Sequence, residues 1–216
     1  MRLIAKGREP AELVSYRQQD GARYDGDASF VAVKQALREA LVRDQGALCC
    51  YCEARVRDTA EEMNIEHWEP QSSAPSRQLD WKNLLAACKG NPGSGADGRH
   101  CDHQKGDEPI TLDPQRERHV RTISFNANGG IRSSDPALQD DIDRRLHLNL
   151  PRLRANRAAA VQALVSGFRR RYGGEFPRDA LRHELEQHTR PRANGPLPPY
   201  ASAVAFWLRR RLGERP

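Results

Sequence analysis

The sequence GALCCYCEARV at residues 46–56 is a short apolar stretch that contains three of the chain's five cysteines. Cys49 and Cys52 form a C-x-x-C pair, and two thiolates with this spacing on a tight turn can bind one metal ion. The stretch therefore predicts a hairpin or zinc knuckle that organises the segments around it. Cys50 is the odd cysteine, and we expect it to be a buried apolar residue.

The other two cysteines, Cys88 and Cys101, lie downstream with twelve residues between them. A second pair would complete a tetrahedral zinc site, and four thiolates leave no open coordination position, so such a zinc ion is structural. It would tie the turn at residues 49–52 to the segments around the second pair. The alternative is that some of these residues are ordinary core cysteines. A redox C-x-x-C is disfavoured because no thioredoxin-like βαβ pattern surrounds it.

Composition limits the class of protein. The chain has 216 residues, of which 38% are hydrophobic and 30% charged, and its mean hydropathy is −0.82. No apolar run approaches the roughly 18 residues that span a bilayer. We expect one compact unit with two lobes, no membrane span, and a cytoplasmic location where thiols stay reduced, because the first residues do not resemble a signal peptide.

The charge is unevenly distributed. The net charge is +6, yet from residue 141 onward the chain carries 16 arginines and no lysine against seven acidic residues, a local balance of +9. Arginine suits phosphate because its planar fork donates two hydrogen bonds at once. The pattern indicates contact with nucleic acid or nucleotide. The alternative is a solvated helical surface in which arginine replaces lysine through codon bias.

Apolar periodicity predicts helices on both sides of a small β region. Asp27 can cap a helix over about 28–44, and a β-prone run around an Asn-Gly turn predicts a hairpin within residues 119–134. A proline-rich linker occupies residues 190–199. The remaining pattern predicts helices over about 137–148, 152–172, 178–189 and 200–212. The expected fold class is α+β.

A second group of motifs lies between and beside the cysteines. NIEHWEP at residues 64–70 follows the first pair, Asn83 comes sixteen residues after His67, and CDHQKG begins at Cys101. This order, over about residues 47–107, resembles the HNH (ββα-metal) endonucleases. CCYCE, LDWKNLLAAC, HCDHQKGD and ITLDP further resemble the HNH subunits of Septu and retron-associated anti-phage systems.

The resemblance implies a catalytic centre. Phosphodiester hydrolysis needs a deprotonated water and a cation against the developing charge, and an imidazole can accept the proton at neutral pH. By similarity His67 is the general base and Glu66 a metal ligand. Asp102 matches the second metal ligand, and His103 and His100 are close enough in sequence to substitute for it or assist.

The resemblance also implies the supporting residues and the metal. Asn83 matches an asparagine that holds the loop and orients the base, and Lys105 matches a basic residue near the phosphate. Two carboxylates favour Mg²⁺ or Mn²⁺ over zinc at this second site.

These motifs divide the chain into three parts. We expect an N-terminal helical segment (1–46), an HNH core with the zinc site and the following hairpin (47–135), and an Arg-rich helical region (136–216). The predicted function is metal-dependent cleavage of DNA, or RNA, and similarity to Septu systems implies an ABC-type ATPase partner. The alternatives are a non-cleaving, zinc-stabilised nucleic-acid or protein adaptor and a stand-alone restriction-type HNH nuclease.

Overall fold

The computed structural model describes residues 1–26, 28–190 and 195–214. The expected cap at Asp27 and residues 191–194 of the proline-rich linker lie outside these ranges. The fold mixes α and β elements and is mostly helical, with two short two-stranded sheets. This agrees with the α+β class.

The elements follow one another in this order: α1 (Ala11–Arg17), α2 (Phe30–Asp44), β1 (Met63–His67), β2 (Leu84–Cys88), α3 (Asp102–Lys105), α4 (Glu117–Val120), β3 (Ile123–Phe125), β4 (Ile131–Ser133), α5 (Pro136–Asp140), α6 (Pro151–Tyr172), α7 (Arg178–Thr189) and α8 (Ala201–Leu212). Single helical turns precede β2 and α3, and a π-helical turn, Asp141–Arg145, follows α5.

The N-terminal part contains one predicted helix and one that the sequence did not reveal. α2 buries the predicted face of Phe30, Val33, Leu37 and Leu41, so that prediction is confirmed. α1 has only seven residues, and an apolar period is not recognisable over two turns.

The two sheets are antiparallel hairpins. β1 pairs with β2 so that Glu66 lies opposite Leu85 and His67 opposite Leu84. β3 pairs with β4, which confirms the hairpin predicted around the Asn-Gly turn. Gly129 has φ +77° there, and a Cβ at this position would lie 1.9 Å from the Arg154 carbonyl oxygen, so the hairpin tip can press against α6 only with glycine.

The C-terminal helices agree with the predictions except at one place. α6, α7 and α8 match the expected ranges closely. The single helix expected over 137–148 is wrong, because α5 passes into the π-helical turn at Asp141. The Asp141 carboxylate accepts hydrogen bonds of 2.7 Å from the backbone N–H groups of Thr111 and Leu112, and His147 ends the helical path with φ 46°.

The hydrophobic core has a large and a small part. The larger cluster runs from the N-terminal residues through α2 and β2 to the start of α6. The smaller cluster lies among α6, α7 and α8 around Phe168, Leu181 and Leu208. Within the described ranges, no helix is long and apolar enough to span a membrane.

Candidate active site beside a four-cysteine cluster

The four predicted zinc ligands lie together. The sulfur atoms of Cys49, Cys52, Cys88 and Cys101 are all within 4.8 Å of one another, and none is in a disulfide. Cys49 and Cys101 are 3.8 Å apart and Cys52 and Cys88 3.7 Å, which is close to the edge of about 3.8 Å of a tetrahedron with zinc–sulfur bonds of about 2.3 Å. Burial opposes ionisation of Cys49, but hydrogen bonds from the neighbouring thiols, Cys101 first, lower the pKa of its thiol well below the usual value. The cluster fits a zinc ion.

A tight turn presents the first cysteine pair. The backbone N–H of Cys49 donates to the Ala54 carbonyl at 2.9 Å, and that of Glu53 donates to the Cys49 carbonyl at 3.1 Å. Leu48 and Arg55 form a bridge across the turn, and Glu53 has φ 63°. This geometry directs both thiols to the same side.

A folded-back insert brings the second pair together despite its wide spacing in sequence. The His100 N–H donates to the Gly90 carbonyl at 3.2 Å, which closes the loop between Cys88 and Cys101. Gly90 has φ +63°, and a Cβ there would lie 2.2 Å from the His100 carbonyl oxygen. Only glycine permits this close approach.

His100 supports the cysteine cluster. Its Nδ1 lies 3.2 Å from the Cys101 sulfur, and its Nε2 lies 3.0 Å from Nη2 of Arg152. Because a guanidinium can only donate, Nε2 is the acceptor and the ring proton is on Nδ1, which donates to the sulfur. Hydrogen bonds of this kind orient metal ligands and reduce the negative charge on them.

Glu66, a predicted metal ligand, is held by two donors. Its carboxylate is 2% exposed, and Oε1 accepts from the Tyr51 hydroxyl at 2.7 Å and from the Lys105 ammonium at 2.8 Å. Lys105 also donates to the His67 carbonyl oxygen at 2.8 Å. Both donors contact the same oxygen, so they fix the orientation of the carboxylate.

Asp102 faces Glu66 and is held in a similar way. Its Oδ2 accepts from the Asn64 side chain at 2.6 Å, and the Asn64 Oδ1 accepts from Lys89 at 2.7 Å. Burial raises the pKa of Glu66 well above its usual value, and the Asp102 carboxylate, within hydrogen-bonding reach, raises it further. Glu66 is buried and Asp102 is partly buried, and two carboxylates this close repel each other unless a proton or a cation lies between them.

The His67 imidazole has a defined tautomer. Its Nε2 lies 2.9 Å from the Gln78 carbonyl oxygen, and because a carbonyl only accepts, the proton is on Nε2 and the lone pair on Nδ1. The Tyr24 ring meets the imidazole edge-on, with centroids 4.5 Å apart, and the Gln71 amide lies 3.5 Å from Nδ1. Burial lowers the pKa of His67, which therefore is neutral at pH 7.

Asn83 anchors the loop that carries this carbonyl. Its Oδ1 accepts from the Glu69 N–H at 2.8 Å, and its Nδ2 donates to the carbonyls of Glu69 at 3.0 Å and Arg77 at 3.2 Å. Arg77 directly precedes Gln78, so the asparagine side chain holds both ends of the 69–77 segment that leads to the residue orienting His67.

Two other predicted residues do not have the surroundings that their expected roles require. Lys105 is too buried to contact a substrate, and His103 is not part of a shared metal site. The Lys105 side chain is 1% exposed and its ammonium faces Glu66. His103 lies against Gly90, and its buried Nε2 has no hydrogen-bond partner among the described residues. In the described part of the chain, only the four cysteines form a group of three or more potential ligands, so His103 does not join Glu66 and Asp102 in such a group.

Sequence reasoning missed several residues of this site, and three of them show which signals exist. Asn64 could have been found, because it lies two residues before Glu66 and strand alternation places both on one face of β1. Tyr51 stands between the first two cysteines, but its sequence position does not show where its hydroxyl points. Tyr24 comes from the loop after α1, and no local pattern connects it to His67.

Comparison with known proteins gives three partial similarities, and no family model matches. Septu protein PtuB of Bacillus thuringiensis is 24% identical over 129 residues, covering 58% of this chain and 48% of PtuB. A candidate HNH endonuclease of retron Vc95 from Vibrio cholerae serotype O1 biovar El Tor is 26% identical over 180 residues, which cover 75% of this chain and 83% of that protein. A corresponding protein of retron Ec83 from Escherichia coli is 35% identical over 66 residues, which cover 28% of this chain and 26% of that protein.

The extent of these matches differs. The chain spans about half the length of PtuB and about a quarter of the retron Ec83 protein, whereas it spans most of the retron Vc95 protein. The names of the two retron proteins agree with the motifs around the cysteines and the acid–histidine pair. The chain is thus similar to the HNH endonucleases of the Septu and retron type, as the sequence motifs predict.

Proposed function

We propose that this chain is a metal-dependent HNH endonuclease that hydrolyses phosphodiester bonds of DNA as the nuclease of an anti-phage defence system. The observation that carries the proposal is the close pair of carboxylates, buried Glu66 and partly buried Asp102, beside a neutral histidine with a fixed tautomer. The names of the similar proteins support the same reaction class.

The donor set suits a small, hard divalent cation. Each carboxylate has one oxygen held by protein donors, Oε1 of Glu66 and Oδ2 of Asp102, and the Lys105 ammonium offsets only one of the two negative charges. Mg²⁺ typically binds through one or two carboxylates and keeps its other positions for water and substrate phosphate. We therefore assign Mg²⁺ or Mn²⁺ to Glu66 and Asp102, without His103. Such an ion, when bound, would stabilise negative charge on the leaving oxygen.

His67 would accept the proton of the attacking water. Its lone pair is on Nδ1 because Nε2 carries the ring proton and donates it to the Gln78 carbonyl, and the attacking water would replace the long 3.5 Å contact from the Gln71 amide. On protonation at Nδ1, the positive charge would be stabilised by that carbonyl, whose loop Asn83 anchors. Lys105 would neutralise Glu66 and fix the backbone of His67, a supporting role that replaces the expected contact with phosphate.

The surrounding structure supports the same assignment. β1, β2 and α3 follow one another in the order of a ββα-metal core, and Asp102 begins α3 directly after the last cysteine. We propose that zinc at the four cysteines is structural, that residues 47–135 form the catalytic core, and that 1–46 and 136–216 support it. By the similarity to PtuB, we propose an ATPase partner.

Cleavage of plasmid DNA tests the proposal. Purified protein is incubated with Mg²⁺ or Mn²⁺, alone and with an ABC-type partner ATPase, and compared with His67→Ala of unchanged zinc content. We expect nicked or linear DNA from the unmodified chain and a rate at least about 100-fold lower from the variant. Equal inertness of both proteins under all of these conditions would remove the nuclease proposal and favour a binding adaptor.

A further inference from the structure

A cavity of about 380 Å³ lies far along the chain from the predicted nuclease motifs, between the tip of the β3–β4 hairpin and helices α6 and α8. Its walls combine three aromatic rings, small alanines and arginines. The residues used below are Phe125, Phe206, Trp207, Arg157, Arg210 and Arg211.

The aromatic wall is preformed. The Phe125 and Phe206 rings are 5.8 Å apart at an angle of 67°, and both are half-buried, so each keeps part of its surface exposed to the cavity. Arg157, which is 2% exposed, donates to the Gly129 carbonyl at 2.8 Å and to the Leu148 carbonyl at 2.6 Å. These bonds fix the hairpin tip against α6 and keep the cavity open.

The charge of the cavity is positive. None of its lining residues is acidic, whereas four other cavities of the described residues each include at least one Asp or Glu. Arg210 and Arg211 are exposed, and neither forms an ion pair within the described ranges. Arg211 lies 4.5 Å above the Phe176 ring, which directs its guanidinium without neutralising it.

Helix capping explains only part of this arrangement. Arginines in the last turn of α8 are favourable to the helix dipole wherever they point. That effect does not require half-buried aromatic rings beside them, nor a cavity without acids. Aromatic faces next to unpaired guanidinium groups are the combination that binds single-stranded nucleic acid, because bases stack on the rings and phosphates pair with the cations.

We propose that this cavity binds a single-stranded nucleic-acid segment, with a base against Phe206 and the adjoining phosphates at Arg210 and Arg211. The inference rests on the proposed function for the choice of nucleic acid over another polyanion. An acidic protein surface would satisfy the arginines but would leave the aromatic faces unused, and a duplex offers no unstacked base.

Binding of a fluorescent single-stranded oligonucleotide, measured by anisotropy over a range of salt concentrations, tests the proposal. The full chain carries His67→Ala and no divalent ion is added, so cleavage does not interfere. Replacing Arg210 and Arg211 together by Glu should weaken binding at least about tenfold and reduce the slope of log affinity against log salt by about 1.4. Phe206→Leu should weaken binding about fivefold or more with an unchanged slope.

The matched control reverses two other exposed arginines in the last turn of a helix, Arg169 and Arg170 of α6, which likewise form no ion pair among the described residues. Thermal melting checks that each variant is folded, and Arg210→Gln alone replaces the double variant if it is not. If the variant of Arg210 and Arg211 binds the single strand as tightly as the control does, the proposal is overturned and a protein ligand is favoured. The proposal is also overturned if the arginine variant loses as much affinity for a duplex probe as for the single strand and Phe206→Leu has no effect. Stacking of a base on the ring is then absent.

The two proposals can fail separately. If the Arg210 and Arg211 variant binds and cleaves like the unmodified chain, the cavity is not a nucleic-acid site although the nuclease stands. If it loses binding while the unmodified chain never cleaves, the cavity stands and the nuclease fails.

Discussion

The four-cysteine cluster and the carboxylate–histidine site are neighbours built on opposite principles. The cluster is closed, because four thiols occupy all the vertices of a tetrahedron. In the second site two carboxylates, Glu66 and Asp102, each have one oxygen bound by protein donors. The single Lys105 ammonium on Glu66 offsets only part of their mutual repulsion, since the pKa of Glu66 stays well above its usual value. A closed site contributes stability, whereas an incomplete one leaves positions for a metal ion, water and substrate.

The largest effect is expected when one cysteine of the closed site is removed. Cys101→Ser should abolish binding of one zinc equivalent and lower the free energy of unfolding by at least about 3 kcal/mol, which is roughly 6–12 °C in melting temperature for a chain of this size. Metal analysis and thermal melting measure both. Cys50→Ala is the matched control, since Cys50 is equally buried but lies outside the cluster, and it should retain zinc. Normal zinc content in Cys101→Ser would contradict the assignment.

The next effect distinguishes the open site from the closed one. Asp102→Asn should reduce cleavage at least about 100-fold with zinc content unchanged. It should leave the metal-free protein as stable as before or more stable by up to about 1 kcal/mol, because a like charge next to Glu66 is removed. Melting with and without Mg²⁺ measures this, and the ion should stabilise only the unmodified chain. Exposed Asp107→Asn is the control. Strong destabilisation of metal-free Asp102→Asn would show that the site is structural.

A third prediction concerns proton transfer at the open site. Burial lowers the pKa of His67 below 6.5, so the base remains neutral at pH 6.5 and above, and cleavage should fall about tenfold per unit only below the lowered value. Between the ordinary value of 6.5 and the lowered folded value the unfolded chain binds more protons, so the free energy of unfolding falls as the pH decreases through this window. The cleavage rate measured from pH 5 to 8, at constant zinc content, gives the midpoint of this fall. A midpoint above pH 7 would contradict the neutral, buried imidazole.

The difference between the sites also explains what the sequence could predict. The order of the motifs along the chain, with the cysteines, NIEHWEP, Asn83 and CDHQKG, is enough to predict their chemical roles. Helices such as α2 are predictable because they show a clear apolar period. Tyr24 and Gln78 reach His67 only through the tertiary fold, so no local spacing reveals them. The π-helical turn at Asp141 depends on a distant backbone segment for the same reason.

The smallest expected effect tests whether the two sites are coupled. Tyr51 stands between two cysteines of the cluster and donates to Glu66 at 2.7 Å, so it connects the closed site to the open one. Tyr51→Phe removes this donor but keeps the ring and the Lys105 contact. Supporting hydrogen bonds of this kind typically change metal affinity by about tenfold or more.

We therefore expect a Mg²⁺ requirement for cleavage shifted about tenfold upward, with the maximal rate nearly restored at saturating Mg²⁺ and zinc content unchanged. Titrating Mg²⁺ against the cleavage rate measures the shift. Tyr16→Phe, which removes another buried hydroxyl bonded only to the Arg23 carbonyl among the described contacts, is the control and should leave the Mg²⁺ requirement unaltered. An unaltered requirement in Tyr51→Phe would mean that the cluster positions the backbone alone and that Lys105 suffices to orient Glu66.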